Sequence, residues 1–565
     1  MLVRMKNQKS IFRSALAGFV VLTALPAWAA EPLLLVDAKV YTGDAGSPRA
    51  EAVLSVDGRV AYVGNQAEAR KRAPPGTRTL DLDGFTVFPG FTDSHAHLAG
   101  IGERELTFQL EGASSLADLK GRLREQHRKV PAGEWIVGRG WIESRWTPAV
   151  FPTKADLDEI VGERPVFLER ADGHAIVASS RALAMAKIDR DTRDPAGGKI
   201  LKDAKGEPTG MLIDTAVDAV VRLVPPPTEA ELLQRLETGA QRSVRMGWSQ
   251  LQVAGTSYAE IDRLCQLYAK GLIKLRVYGA IEGPGPDADR LLAQGPRAKA
   301  CSDRLRVRAI KLYIDGALGS RGAMLLAPYA DAPETTGLFR NEPASLSPIL
   351  VAALKQGVQI ETHAIGDSGN RTMLDLYEQA FAAVPAGQRA VSEPRWRIEH
   401  AQVLTAADIP RFAKLGVIAS MQPSHAISDL YFAPQRLGPE RIRHAYPWRA
   451  LLDAGATVVA GSDAPVEKGD PIEEFYAAVV RRSRDGFANA DWHRESRVSR
   501  EEALAMLTRA PAFAAFQEKE RGTIEVGKQA DFTVLSADLM SVPEEKILST
   551  QVVMTIIAGE VAYGR

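Results

Sequence analysis

Two histidines, His95 and His97, stand two residues apart just after the apolar run Phe88-Pro89-Gly90-Phe91. Alternation along a strand puts residues i and i+2 on one side, so both imidazoles can share one metal ion. Four more runs end in a group able to join them: Lys311 in Ile310-Lys311-Leu312, His363 after Ile360-Glu361-Thr362, His400 after Arg397-Ile398-Glu399, and Asp463 after Ala460-Gly461-Ser462. Taken singly, each reads equally well as a core histidine, a snorkelling lysine or a capping aspartate. Together, the order His-x-His, Lys, His, His, Asp at successive strand ends points to a metal centre. Imidazole and carboxylate suit zinc first, with manganese, iron or cobalt as further options. A bound divalent ion lowers the pKa of water to around 7, which gives a nucleophile for hydrolysis at neutral pH.

Side chains spread from residue 95 to residue 463 require a scaffold that returns repeatedly to one face. β-Branched apolar runs at 86–92, 247–253, 274–281, 307–313, 358–362, 396–399, 417–420 and 457–461 alternate with helical patterns such as 228–245, 259–270, 348–356, 370–383 and 447–454. That is the pattern of parallel βα units. Eight units without a leftover edge favour a closed (β/α)8 TIM barrel, an α/β fold whose catalytic groups sit at the strand ends. From about 103 to 227 the chain has strands and helices of its own, read as an insertion after barrel strand one that roofs the site. Short β runs without helices near both termini predict a small β-sandwich built from 30–85 and 520–565, around a barrel at 86–519. Asp57-Gly58 and Ala558-Gly559 read as hairpin turns within it.

The first 29 residues read as an address. Arg4, Lys6, Lys9 and Arg13 precede a 12-residue apolar stretch, closed by Pro26 and Ala27-Trp28-Ala29. This is the layout of a secretory signal peptide, too short for the roughly 20 residues that span a bilayer. Export to a bacterial periplasm is expected, with no stable membrane insertion. The 565 residues are 45% hydrophobic and 25% charged, an ordinary globular composition. Lys+Arg 70 against Asp+Glu 70 leaves no global field to hold nucleic acid. Cys265 and Cys301 have no CxxC spacing and cannot form a thiolate metal site; whether they pair is left open.

These motifs resemble the amidohydrolase superfamily over nearly the whole mature chain, from Leu35-Val36-Asp37-Ala38-Lys39-Val40 to Gly522-Thr523-Ile524-Glu525-Val526-Gly527. Arg170-Ala171-Asp172-Gly173-His174, Asp315-Gly316-Ala317-Leu318-Gly319-Ser320-Arg321 and Met421-Gln422-Pro423-Ser424-His425 are similar to the YtcJ-like branch that includes N-substituted formamide deformylases. The resemblance implies one or two divalent ions. His95, His97 and Asp463 would hold an inner one, His363 and His400 a second, and Lys311 would bridge them as an N6-carboxylated carbamate. It also implies Asp463 as the catalytic proton carrier, a small-molecule amide as substrate and a homodimer.

Three further residues are weighed beside these. His174, in the insertion, could polarise substrate; Arg321 could clamp a carboxylate bidentately; His425 could contact substrate after strand seven. Trp135, Trp141 and Trp146 read as packing of the insertion. Competing readings are an esterase or lactonase using the same ion, and a non-catalytic periplasmic binding protein on this scaffold. The filled ligand positions weigh against the last.

Overall fold

The computed structural model describes residues 31–143, 146–171, 175–195, 198–484 and 492–565. The expected signal peptide and His174 lie outside the described residues. Strand Leu33–Val36 pairs antiparallel with Ala52–Val56 and parallel with Arg78–Asp81, and Arg59–Gly64 completes a four-stranded sheet. A second sheet of six strands has Thr86–Pro89 between Lys39–Tyr41 and Phe532–Leu535, with Val552–Ile557 and Glu560–Gly564 beyond. Leu35, Val53, Val87, Phe532 and Val534 fill the space between the two sheets. Both chain ends thus make one β-sandwich.

The TIM barrel follows. Strands Phe91–Ala96, Trp248–Thr256, Arg276–Glu282, Leu305–Tyr313, Gln359–Ala364, Arg397–His400, Ile418–Met421 and Val458–Ala460 pair in chain order, every pairing parallel. They are strands one to eight below. Helices Glu229–Arg245 and Tyr258–Ala269 each start at a reciprocal cap, Thr228 with Glu231 and Ser257 with Glu260. They bury Leu236, Val244, Ile261 and Leu264 with Val253 and Val277 of the strands in one core. Strands eight and one share no β-ladder but meet through backbone and side-chain hydrogen bonds just past strand eight. Ser462 N and Oγ donate to the Asp93 carboxylate at 2.8 and 2.5 Å, and Asp463 N donates to His95 O at 2.7 Å.

One boundary differs from the sequence reading. The run 86–92 is not a single barrel strand: Thr86–Pro89 belongs to the sandwich, and strand one begins at Phe91. Gly90 is the crossing point. A Cβ there would lie 2.5 Å from Ser249 Oγ and 2.8 Å from Ser249 Cβ, so no larger residue fits without displacement.

The insertion folds on its own six-stranded sheet, ordered Gly198–Lys202, Pro208–Asp214, Ala175–Ala178, Val166–Arg170, Ile136–Trp141, Phe108–Gln109. Separate apolar clusters cover it, one holding Trp141 and Trp146 and the other packing Trp135. The indoles of Trp141 and Trp146 donate to backbone carbonyls, which agrees with packing roles. Cys265 and Cys301 form a disulfide, with Cα atoms 5.7 Å apart. Among the described residues no helix is long and apolar enough to cross a membrane.

Candidate metal centre and active site

His95 stands near the end of strand one and His97 just past it, at the start of helix Leu98–Leu106, and the strand exits of the barrel bring the other expected ligands to them. Asp463 is the hub. Its Oδ1 lies 3.0 Å from His97 Nε2 and 3.5 Å from His95 Nε2, and its Oδ2 lies 3.7 Å from His425 Nε2. Lys311 Nζ, fully buried, is 3.4 Å from His95 Nε2. The His400 ring centroid is 4.9 Å from that of His95 and 4.6 Å from that of His363. His95, His97, Lys311, His363, His400, His425 and Asp463 therefore converge on one place. The tightest group is His95, His400 and Asp463, with ligand atoms all within 4.8 Å of one another. It takes in His400, which the resemblance implies for a second ion, while His97 joins through Asp463.

The surrounding side chains fix which ring nitrogens face inward. His95 Nδ1 lies 2.5 Å from Glu399 Oε2, and His400 Nδ1 lies 2.7 Å from Gln422 Oε1. An acceptor at each Nδ1 puts the proton there and leaves the Nε2 lone pair free. His363 turns its Nε2 to Gly316 O at 3.4 Å, so its Nδ1 is the free nitrogen. Burial lowers the pKa of His95, His363 and His400 well below the usual imidazole value. Burial alone would raise Asp463, but the His97 hydrogen bond and the facing imidazoles hold it well below the carboxylate range. Burial also lowers Lys311, against the pull of Glu399 and Asp463, towards the neutral amine.

Neutral imidazoles and an ionised carboxylate are the donor set a divalent cation requires. Ligand atoms around tetrahedral zinc stand about 3.3 Å apart, close to the 3.5 Å between His95 Nε2 and Asp463 Oδ1. His425 Nε2 is buried without a hydrogen-bond partner, as is Glu399 Oε1. The residues fit a metal. His400 and Asp463 also adopt left-handed backbone, φ 75° and 55°, a strained conformation for non-glycine residues.

Glu399, Gln422 and Asp315 were missed by sequence reasoning. Glu399 had a signal: it precedes His400 and shares a strand side with Arg397, a charged pair inside a buried strand. Asp315 accepts from Ile365 N, Gly366 N and Met324 N, tying the loop after strand four to the loop that follows His363. Arg321 does not join the cluster. Its guanidinium is engaged bidentately by Asp331 at 2.9 and 3.1 Å, which makes it a brace of its own loop. The insertion reaches the loop after strand eight through Arg104, which bonds Pro465 O, Glu467 O and the Glu111 carboxylate.

Comparison with known proteins agrees with this geometry. Residues 78–563 match the family described as the amidohydrolase family. The chain belongs to the amidohydrolase family. It is 32% identical to YtcJ of Bacillus subtilis (strain 168) over 93% of this chain and 98% of that one. It is 28% identical to the N-substituted formamide deformylase of Arthrobacter pascens, over 94% of this chain and 98% of that one. An uncharacterized metal-dependent hydrolase from Pyrococcus furiosus superimposes with a TM-score of 0.72 at 27% identity, covering 90% of this chain and all of that one. This YtcJ-like amidohydrolase is a metal-dependent enzyme that hydrolyses carbon–nitrogen bonds.

Proposed function

We propose that this amidohydrolase is an exported enzyme that cleaves the C–N bond of a small N-formyl, N-acyl or cyclic amide with zinc at the strand ends. The observation that carries the reading is the convergence of His95 and His400, each with Nε2 left free, on an ionised Asp463. The name of the Arthrobacter pascens relative supports the choice of amide. Export is supported by the N-terminal pattern and by the Cys265–Cys301 disulfide, since such bonds persist in oxidising compartments.

In this reading His95, His97, His400 and Asp463 would hold one ion, and His363 and Lys311 would complete a second position. Lys311 takes part as a carbamate: its neutral amine adds to carbon dioxide and loses a proton, adding about 44 Da. A metal held there would supply an acidified water and a positive charge for the carbonyl oxygen. Asp463 would accept a proton from the attacking water and deliver it to the leaving nitrogen, so that the amine departs neutral. His425 donates from Nε2 to the substrate's carbonyl oxygen, which satisfies an atom otherwise left without a partner. The test is metal content of the mature protein, followed by a screen of N-formyl and N-acyl amines beside matched esters. Bound zinc with amide turnover supports the reading. Turnover of esters alone would replace it with an esterase, and no ion with no turnover would remove it.

A further inference from the structure

The anion clamp expected of Arg321 is spent on Asp331, but another arginine at the barrel mouth has no such partner. Arg340 belongs to the segment after the strand-four loop, and its guanidinium lies 4.5 Å from the Tyr313 ring centroid. That ring is 4.8 Å from Lys311 Nζ and 5.6 Å, centroid to centroid, from His363. The guanidinium therefore stands no more than about 10 Å from the His363 ring. Among the described residues no carboxylate is within ion-pair distance of Arg340. Glu282, on the same side of the mouth, is engaged by the Tyr313 hydroxyl at 3.3 Å.

The segment carrying Arg340 is stitched to the exit of strand four. Arg340 N donates to Ile314 O at 2.8 Å, Asn341 Nδ2 donates to Tyr313 O at 2.8 Å, and Phe339 forms a β-bridge with Asp315. Stacking on Tyr313 holds the guanidinium without using its N–H edges, which remain free to fork onto a planar anion. Beside it Leu338 and Phe339 are 56% and 37% exposed. An unpaired cation on a fixed segment, with an apolar surface next to it, thus shares the Tyr313 ring with Lys311 and His363 of the centre.

We infer that Arg340 is a carboxylate-binding residue and that the substrates are N-acyl compounds carrying a carboxylate beyond an apolar portion. This rests on the hydrolase reading above. The test compares N-formylphenylalanine with N-formylphenethylamine, which differ only by the carboxylate, on zinc-loaded wild type, Arg340→Gln and Arg340→Lys. A bidentate charge-assisted contact predicts a wild-type preference for the acid of about tenfold or more in kcat/KM, carried by KM. The preference collapses in Arg340→Gln and is partly kept in Arg340→Lys. An equal preference in wild type and Arg340→Gln, or a wild-type preference for the neutral compound, overturns the inference. If wild type hydrolyses neither compound, the N-formyl reading fails, and the subsite is then judged by calorimetric binding of 3-phenylpropionate. Weakening by about tenfold in Arg340→Gln supports the subsite; equal affinity overturns it.

Discussion

Replacing Glu399 by glutamine tests whether the buried carboxylate behind His95 sets the metal affinity. Glu399 Oε2 lies 2.5 Å from His95 Nδ1, and the side chain is fully buried, so water does not weaken the contact. A hydrogen bond to a charged group contributes about 1.5 to 3 kcal/mol net. Charge-assisted hydrogen bonds are about twice as strong as neutral ones, so losing the charge alone removes about half of this and weakens zinc binding about 3- to 10-fold at about 1.4 kcal/mol per factor of ten. Glutamine keeps the shape and can still accept from Nδ1, so the tautomer survives and the charge is what changes. Glu399→Ala goes further, leaving Nδ1–H buried without an acceptor at a cost of about 1 to 3 kcal/mol in stability. Competition against a zinc-chelating dye reads the affinity, and kcat at saturating zinc separates loading from turnover. If Glu399→Gln binds zinc within twofold of wild type at unchanged Tm, Glu399 does not act through His95.

Three further outcomes are expected. Asp463→Asn retains bound zinc but loses about 100- to 10,000-fold in kcat, the range for a proton-transfer group; near-normal turnover would take Asp463 out of that role. Asp531 is fully buried and bidentate to Arg276 at 2.8 and 3.0 Å; burial would raise its pKa, but Arg276 and Arg521 hold it below the usual value. Its folded pKa being the lower one, its contribution is present above the unfolded value of about 3.9 and is lost as pH falls through the folded value. The acid limb of a Tm–pH profile should therefore flatten in Asp531→Asn, and an unaltered limb would contradict the assignment. The Cys265–Cys301 bond closes a separation of 36 residues, so Cys265→Ser with Cys301→Ser lowers stability by about 3 to 4 kcal/mol on the chain-entropy model. Denaturant unfolding measures this, and equal midpoints with and without reductant would show that the bond adds nothing.

Much of the barrel was legible because its strands are short apolar runs separated by helical patterns, and strands one, four, five, six and eight end in a chemically competent residue. His95, Lys311, His363, His400 and Asp463 could be found one at a time. What assembles them could not: Glu399 and Gln422 matter only because strands six and seven bring them to His95 and His400. The first barrel strand was set too early because Thr86 to Thr92 reads as one unbroken uncharged run, and both halves of it are buried. Only the partner strands differ, Phe532–Leu535 for the first half and Trp248–Thr256 for the second, both far along the chain. Arg321 misled for a local reason, since Asp331 folds back onto it from ten residues away.

The crossing at Gly90 bears on the order in which the molecule can be completed. Strand one carries the first metal ligands, and its start is pinned by Phe91 N donating to Thr533 Oγ1, 442 residues further on. At roughly 5 to 20 residues per second of synthesis, the two sides of that bond are separated by about 20 to 90 s. Throughout that interval the nascent chain holds His95 and His97 on a strand without its foundation, a high-contact-order arrangement that folds late. Under the proposed export, that delay would leave the chain open to being threaded across a membrane, and metal capture would fall to the finished polypeptide. In a pulse-chase experiment zinc retention should appear only after full-length chain, and capture by chains still lacking Phe532–Leu535 would contradict this order.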